Sequence, residues 1–346
     1  MTTATATATV RVLSPEDIIA RGGGEVPFLQ WPARASAFAE RAMRLRQLAA
    51  GHAMGDFLAF VAELAQQQQA ALADFPAVPL PDAAALDRDA RIGRAPLSAT
   101  EWPRDAAWRA TLRRIAQSLR ATAPAATQPA LERVLALDDA QLERQADALL
   151  HGSAAGLDLG TAPLVAAALQ VYWTHLLLEV QRARQGSGEV FARLDDPGRC
   201  PGCGSRPVAS ITRSRGESLG QRYLHCSLCN LEWHMLRARC SHCGSTKHIA
   251  YQSLDLRDEQ GGEDASAQRA ARAAVQAETC DDCGHYLKIV HTDRDPFVDP
   301  VADDLASLTL DLLVSDSGKQ RHGVNLMLLF GDDADPPDPP PDPGAR

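Results

Sequence analysis

What most limits the folds open to this chain is where its cysteines fall. There are 8 in 346 residues, and all of them lie in four C-x-x-C pairs: Cys200/Cys203, Cys226/Cys229, Cys240/Cys243 and Cys280/Cys283. None precedes Cys200 and none follows Cys283. Cysteines that merely fill a core have no reason to sort themselves this way, whereas metal ligands do. Tetrahedral thiolate coordination needs four sulfurs about 2.3 Å from one ion, and a tight turn with ligands three positions apart brings two of them together. Three of the pairs are followed at once by glycine (Gly204, Gly244, Gly284) and the fourth by Asn230. Such a turn closes in a left-handed backbone conformation, which glycine adopts freely and asparagine tolerates better than most residues.

Eight thiolates make two four-cysteine sites. Sequential pairing is the simplest: Cys200, Cys203, Cys226 and Cys229 in one metal site, Cys240, Cys243, Cys280 and Cys283 in the other. The stretches between paired knuckles, 204–225 and 244–279, both exceed the roughly 15–20 residues common in such sites, so each ribbon needs a long hairpin. Crossed partitions stay open. The short gap from Cys229 to Cys240 disfavours joining the two middle knuckles, since two ribbons need room to separate. The donor set does not choose the ion: zinc and a single rubredoxin-type iron both take four thiolates in a tetrahedron. His225 and His242 lie beside or inside these turns; with eight cysteines available they are expected to flank sulfur rather than replace it. A redox pair at Cys226/Cys229 would leave six thiols that no longer divide into fours.

Composition narrows the function classes. Charged residues make up 23% and the formal net charge is −9, as in an ordinary globular protein with no general affinity for nucleic acid or anionic lipid. Residues 199–250 run against that balance, with eight basic residues and two acidic ones. They fit an offset to thiolate charge, a docking face for an acidic or extended partner, or both. Reduced thiols suit a cytoplasmic location, and the Thr/Ala-rich start lacks the basic and apolar regions of a secretory signal. The longest apolar stretch, 162–180, is interrupted by Gln170, Thr174, His175 and Glu179; it is expected to be a buried core helix, with no membrane insertion.

Along the chain, 1–25 reads as a flexible lead-in and 26–186 as a helical domain. Phe57, Phe60, Val61 and Leu64 recur at the helical period, as do Trp108, Leu112, Ile115 and Leu119. Asp138 is placed to cap a helix that His151-Gly152 ends. Prolines 76, 79, 81 and 96 mark 76–102 as a connector. His52, His151 and His175 are solitary, and no catalytic constellation stands out. After a linker at 185–188, strand candidates at 206–212 and 221–226 surround the first site and others at 249–254 and 286–291 the second. This gives a first four-cysteine ribbon over 190–238 and a second over 239–298. Residues 257–276 form a Gly-, Ala- and charge-rich insert. Asp299-Pro300 opens one final helix with Val301, Leu305, Leu308 and Leu312 as its stripe, within 299–330, and a disordered Pro/Asp tail fills 331–346. The expected class is α+β in two parts: an N-terminal all-α domain, then two tandem rubredoxin-like or zinc-ribbon modules and a C-terminal helix.

Four stretches are specific in wording: CPGCGSRPVAS from Cys200, LGQRYLHCSLCNLEWHMLRARCSHCGS from Leu219, AETCDDCGHYLKIV from Ala277 and DPVADDLASLTLDLL from Asp299. Together they resemble the formate dehydrogenase accessory protein (FdhE) family, closely over about 195–315 and loosely over the helical part. The resemblance implies a cytoplasmic factor needed to produce active respiratory formate dehydrogenase, which binds that enzyme's catalytic subunit before export. It also implies iron in rubredoxin-like sites, with the eight cysteines matching the family's metal positions. The insert at 257–276 is longer than the family pattern leads one to expect. A non-enzymatic assembly factor is therefore the expected function, with two metal ions, iron or zinc. A one-electron redox protein acting in the same maturation is the alternative.

Overall fold

The computed structural model describes residues 26–184, 191–214, 220–254 and 272–329. The lead-in at 1–25, the linker at 185–188, most of the insert at 257–276 and the tail at 331–346 lie outside the described residues. A helical N-terminal region is followed by a sheet-containing region that carries both cysteine clusters.

The chain enters through a two-residue strand, β1 (Leu29–Gln30), then forms α1 (Ala37–Ala49) and α2 (Gly55–Ala73). Helix α3 (Ala83–Arg91) lies inside the stretch that proline content marked as a connector. Asp82 caps it by accepting from the Ala85 amide at 2.6 Å. Only Leu86 of this helix is buried, so it leaves almost no apolar period to detect. In α4 (Ala107–Leu119) the expected stripe of Trp108, Leu112, Ile115 and Leu119 is fully buried. After α5 (Gln128–Ala136), α6 (Asp139–His151) starts with the anticipated Asp138, which forms a reciprocal capping box with Gln141 and ends at Gly152 with φ +68°.

Helix α7 (Ala162–Ala183) is the axis of this region, with α2, α4, α5 and α6 packed around it. It is long and apolar enough to cross a membrane, yet most of its surface is covered by the rest of the chain. The expectation of a core helix holds, and its polar interruptions have partners. Gln68 Nε2 donates to Gln170 Oε1 at 2.9 Å, and Gln170 Nε2 donates to the Ser227 carbonyl at 2.7 Å. A buried amide without such partners would cost about 1–3 kcal/mol.

Strands β2 (Pro207–Thr212), β3 (Arg222–Cys226) and β4 (Glu232–His234) form an antiparallel meander; β5 (Ile249–Gln252), β6 (Val275–Cys280) and β7 (His285–His291) form another. The two join edge to edge: β2 pairs with β7 in parallel, Ser210 opposite Ile289 and Thr212 opposite His291. Strand β1 closes the outer edge of β4, with Leu29 opposite Trp233, so the N-terminal segment is built into the same sheet. Pairing hides strand edges that would otherwise present open amides.

The expected single C-terminal helix is instead two, α8 (Pro300–Ala306) and α9 (Leu308–Asp316), followed by β8 (Gln320–Arg321), which pairs with β7. Asp299 caps α8 as anticipated, accepting from the amides of Val301 and Ala302 at 3.0 and 2.8 Å. The break is met from the sheet. Lys288 Nζ, on β7, donates to the carbonyls of Asp304 and Ser307 at 2.8 and 3.1 Å, and those carbonyls accept amides three residues on, from Ser307 and Leu310, in place of a continuous helical ladder. The apolar stripe shifts accordingly: Leu310 and Val314 are buried, and Leu312 of the expected stripe is exposed.

Candidate metal centres

Each C-x-x-C pair sits on a turn of the same build. The amides of Gly204, Gly244 and Gly284 donate to the carbonyls of Cys200, Cys240 and Cys280 at 2.8, 3.0 and 3.0 Å. These glycines have φ of +75°, +75° and +72°, and Asn230 takes the equivalent place at +60°. Backbone amides point at sulfur as well: those of Leu228 and Cys229 lie 3.4 Å from Cys226 Sγ, and that of His242 lies 3.4 Å from Cys240 Sγ.

The sulfurs converge in two groups, Cys200/Cys203/Cys226/Cys229 and Cys240/Cys243/Cys280/Cys283, which is the sequential partition. Across the first group, Sγ of Cys200 lies 3.5 Å from that of Cys229, and Cys203 lies 3.4 Å from Cys226. Across the second, Cys240–Cys283 and Cys243–Cys280 are both 3.7 Å. A disulfide needs about 2.05 Å. A tetrahedron with sulfur at about 2.3 Å from its centre has edges of about 3.8 Å, so both donor sets fit one ion in a four-thiolate shell.

Electrostatics favour the same fit at the first group, which is wholly buried. Burial pushes the Cys200 and Cys229 thiols well up. Burial also acts against Cys203, but S–H donors from Cys200, Cys226 and Cys229 outweigh it and hold that group well below the ordinary thiol range. One thiolate collecting its neighbours' protons is the arrangement that a divalent cation replaces, releasing those protons as it binds.

The two groups differ in setting. The first belongs to the main core and is packed against α7: a side chain at Gly202 would meet Leu177 Cδ1 at 3.0 Å. Residues 97–99 run alongside, with the amides of Leu97 and Ala99 donating to the carbonyls of Gly202 and Cys203 at 3.0 and 2.8 Å. The second lies outside that core; Cys243 is exposed and Cys283 half-buried. Beside it His242 stacks on His285 at 3.8 Å and 13°, with His322 edge-on at 5.0 Å. His242, Cys283 and His285 bring donor atoms close together. However, imidazole lone pairs lie in the ring plane, and near-parallel planes share no point where one ion could take both rings. This places His242 beside the sulfurs, as expected.

His225 likewise flanks the first group. Its Nδ1 lies 3.0 Å from Glu232 Oε1 and its Nε2 lies 3.3 Å from Asn230 Oδ1. Arg213 Nε donates to Glu232 Oε2 at 2.9 Å. Burial opposes ionisation of Glu232, but Arg213 and His225 overcome it and hold the carboxyl at about 2. Asn230 is the hub. Besides closing the knuckle, it donates to Thr174 Oγ1 at 2.9 Å and accepts from Arg41 Nη2 at 2.8 Å. The basic excess of 199–250 is partly internal: Arg213 pairs with Glu232, and Arg222 with Glu278 at 2.8 Å. Sequence reasoning missed Gln170, Thr174 and Arg41 as supports of this knuckle. The usable signal was polar side chains on a helix apolar all round, because a buried polar group needs a partner somewhere. Among the solitary histidines, His52 meets the Ala306 carbonyl and His151 the Asp147 carbonyl, at 3.0 and 2.8 Å, while His175 packs on Phe75 at 4.7 Å.

Comparison with known proteins gives a consistent picture over most of the chain. Residues 26–188 match the model of the FdhE N-terminal domain, 199–237 that of the FdhE central domain and 238–328 that of the FdhE C-terminal domain. A protein FdhE homolog of Pseudomonas aeruginosa is 39% identical over 305 residues, covering 88% of this chain and 94% of its own. A protein FdhE homolog of Yersinia enterocolitica is 38% identical over 312 residues, covering 89% and 93%. The crystal structure of the FdhE protein from Pseudomonas aeruginosa superposes with a TM-score of 0.73 at 38% identity, over 87% of this chain and 98% of that one.

Proposed function

This chain belongs to the FdhE family, and from that premise we propose that it is a non-enzymatic maturation factor for respiratory formate dehydrogenase. In this reading it acts in the cytoplasm and binds the enzyme's catalytic subunit. The observation that carries it is the pair of four-sulfur clusters on one continuous sheet, at the starts of the parallel neighbours β2 and β7, with the helical region docked on the first. In this reading Cys200, Cys203, Cys226 and Cys229 hold one ion, iron or zinc, and Cys240, Cys243, Cys280 and Cys283 hold a second. A bound ion would supply folding energy, of order 10–16 kcal/mol per structural zinc site in small peptides. The chain's own groups supply the rest: turn amides directed at sulfur, the Gln170 amide and Thr174 hydroxyl of α7 beneath the Cys226/Cys229 turn, and a sheet that joins the two sites. The product is a rigid surface for another protein.

The test is capture. Tagged chain expressed with the catalytic subunit of respiratory formate dehydrogenase is expected to retain that subunit. Recovery of none, from cells that make it, would contradict the proposal. One observation favours the redox alternative: Cys243 is exposed, so the second site is open to an electron donor or acceptor. A reversible one-electron bleaching of an iron-loaded sample that a reductase partner can drive would support it; a colourless zinc protein would end it.

A further inference from the structure

Where α1, the first ribbon and the 292–300 segment meet, there is a cleft of about 590 Å³. Pockets that hold ligands or side chains of a partner run from about 300 to 1,000 Å³. Arg41, Asn230 and Glu232 are among its polar lining residues, and Trp31, Ile211 and Phe297 among its apolar ones. Its floor borders the Cys226/Cys229 turn through Asn230, while its rim plays no part in placing the cysteines.

The floor is short of one kind of group. Glu232 already accepts from Arg213 at 2.9 Å and lies 3.0 Å from His225 Nδ1. Asp299 accepts from two amides of α8 and, at 3.2 Å, from Arg41 Nε. The buried carboxylates are thus engaged. Arg41 is not: its side chain is 1% exposed, Nε and Nη2 are used, and among the described residues Nη1 is buried without a partner. Glu40 also lines the cleft, at its exposed side, so what Nη1 lacks among the described residues is an acceptor. The rim lacks something else. Met43 is 56% exposed and Phe297 67% exposed, and both border the cleft.

We propose that this cleft docks a segment of the partner polypeptide, with an acidic side chain on Arg41 Nη1 and an apolar neighbour covering Met43 and Phe297. A small carboxylate would satisfy Arg41 and leave both rim side chains bare; a polypeptide satisfies both deficits at once. The proposal rests on the reading that the chain binds the catalytic subunit, and it says where. It also ties docking to the first metal site, because Asn230 follows Cys229 directly and its side chain orients Arg41.

The experiment measures affinity of the metal-loaded full chain for the catalytic subunit. Met43→Asp and Phe297→Asp are expected to weaken binding by at least about tenfold each. Ile92→Asp and Leu312→Asp, at positions 62% and 67% exposed, are expected to change nothing. Arg41→Gln should weaken binding comparably; if it fails to fold, a photo-crosslinker at 297 reports in its place and is expected to trap the subunit. Wild-type chain that binds while both rim variants bind as tightly would overturn the docking site and leave the maturation role standing. Arg41→Gln that folds and binds as wild type would overturn the acidic anchor. Crosslinks from 297 to the chain's own residues 1–25 would overturn the proposal by filling the cleft from within. No binding by the wild type would overturn both.

Discussion

Asp304 is 0% exposed and is met from three sides. Arg321 Nη2 reaches both its oxygens at 2.7 Å, Asn325 Nδ2 donates at 2.8 Å and Lys288 Nζ lies at 3.2 Å. Burial works against its charge, but Arg321 and Lys288 more than compensate and lower its titration below the ordinary carboxylate range. Its neighbours in the same short motif reach elsewhere. Asp303 accepts from Arg44 Nε at 3.0 Å, and Asp299 from Arg41. Three acids of one turn thus fasten the sheet, the C-terminal segment and the first helix. Replacing Asp304 with Ala would leave Lys288 and Arg321 to share the carboxylate of Asp311, with one positive charge unbalanced among the described residues, so Asp304→Ala is expected to destabilise the protein by about 3–5 kcal/mol. Denaturant unfolding of the metal-loaded protein would show it; a loss under about 1 kcal/mol, the scale of an exposed pair, would contradict the network. Only part of this was legible in the sequence. The cap by Asp299 and the left-handed turn at Asn230 follow from rules that act within a few residues. The partners of Asp303 and Asp304 leave no such mark, because they are cations that only the fold brings near.

Among the elements, α7 ties the helical region to the first sulfur cluster, and it contains a group that senses acid. Burial first, then the Arg34 guanidinium, lowers His175 to about 4 from the ordinary imidazole value of 6.5, with Glu179 opposing. The folded imidazole therefore refuses a proton that the unfolded chain accepts. Above pH 6.5 it costs nothing; between there and about 4 stability falls by up to about 1.4 kcal/mol per pH unit. His175→Gln is expected to flatten the decline between pH 7 and 5 relative to wild type, read from denaturation midpoints. Parallel declines would contradict the assignment. The helices with a clear 3.6-residue period were visible in advance, as was the apolar run of α7. Helix α3 was not, because it buries a single leucine, and neither was β1, whose two residues are a strand only because β4 lies beside them. The break between α8 and α9 was hidden for a related reason: the side chain that meets it, Lys288, sits on β7.

On the scale of the whole molecule, the two ribbons and the helical region share one framework. The first sulfur cluster lies in the main core beside α7, the second outside that core with Cys243 exposed, and the parallel β2–β7 pairing joins the two ribbons. Cysteine spacing and turn residues announced the clusters because ligand geometry is written locally. That the two ribbons would merge into one sheet was not written there, since parallel pairing of distant strands leaves no local mark. The account stands or falls on what the eight sulfurs hold. X-ray absorption combined with elemental analysis of freshly purified full-length protein measures this directly. The expected result is two ions per chain, iron or zinc, each with four sulfurs at about 2.3 Å. Fewer than four sulfurs around the metal, or sulfur–sulfur bonds at about 2.05 Å in protein kept reduced, would contradict it.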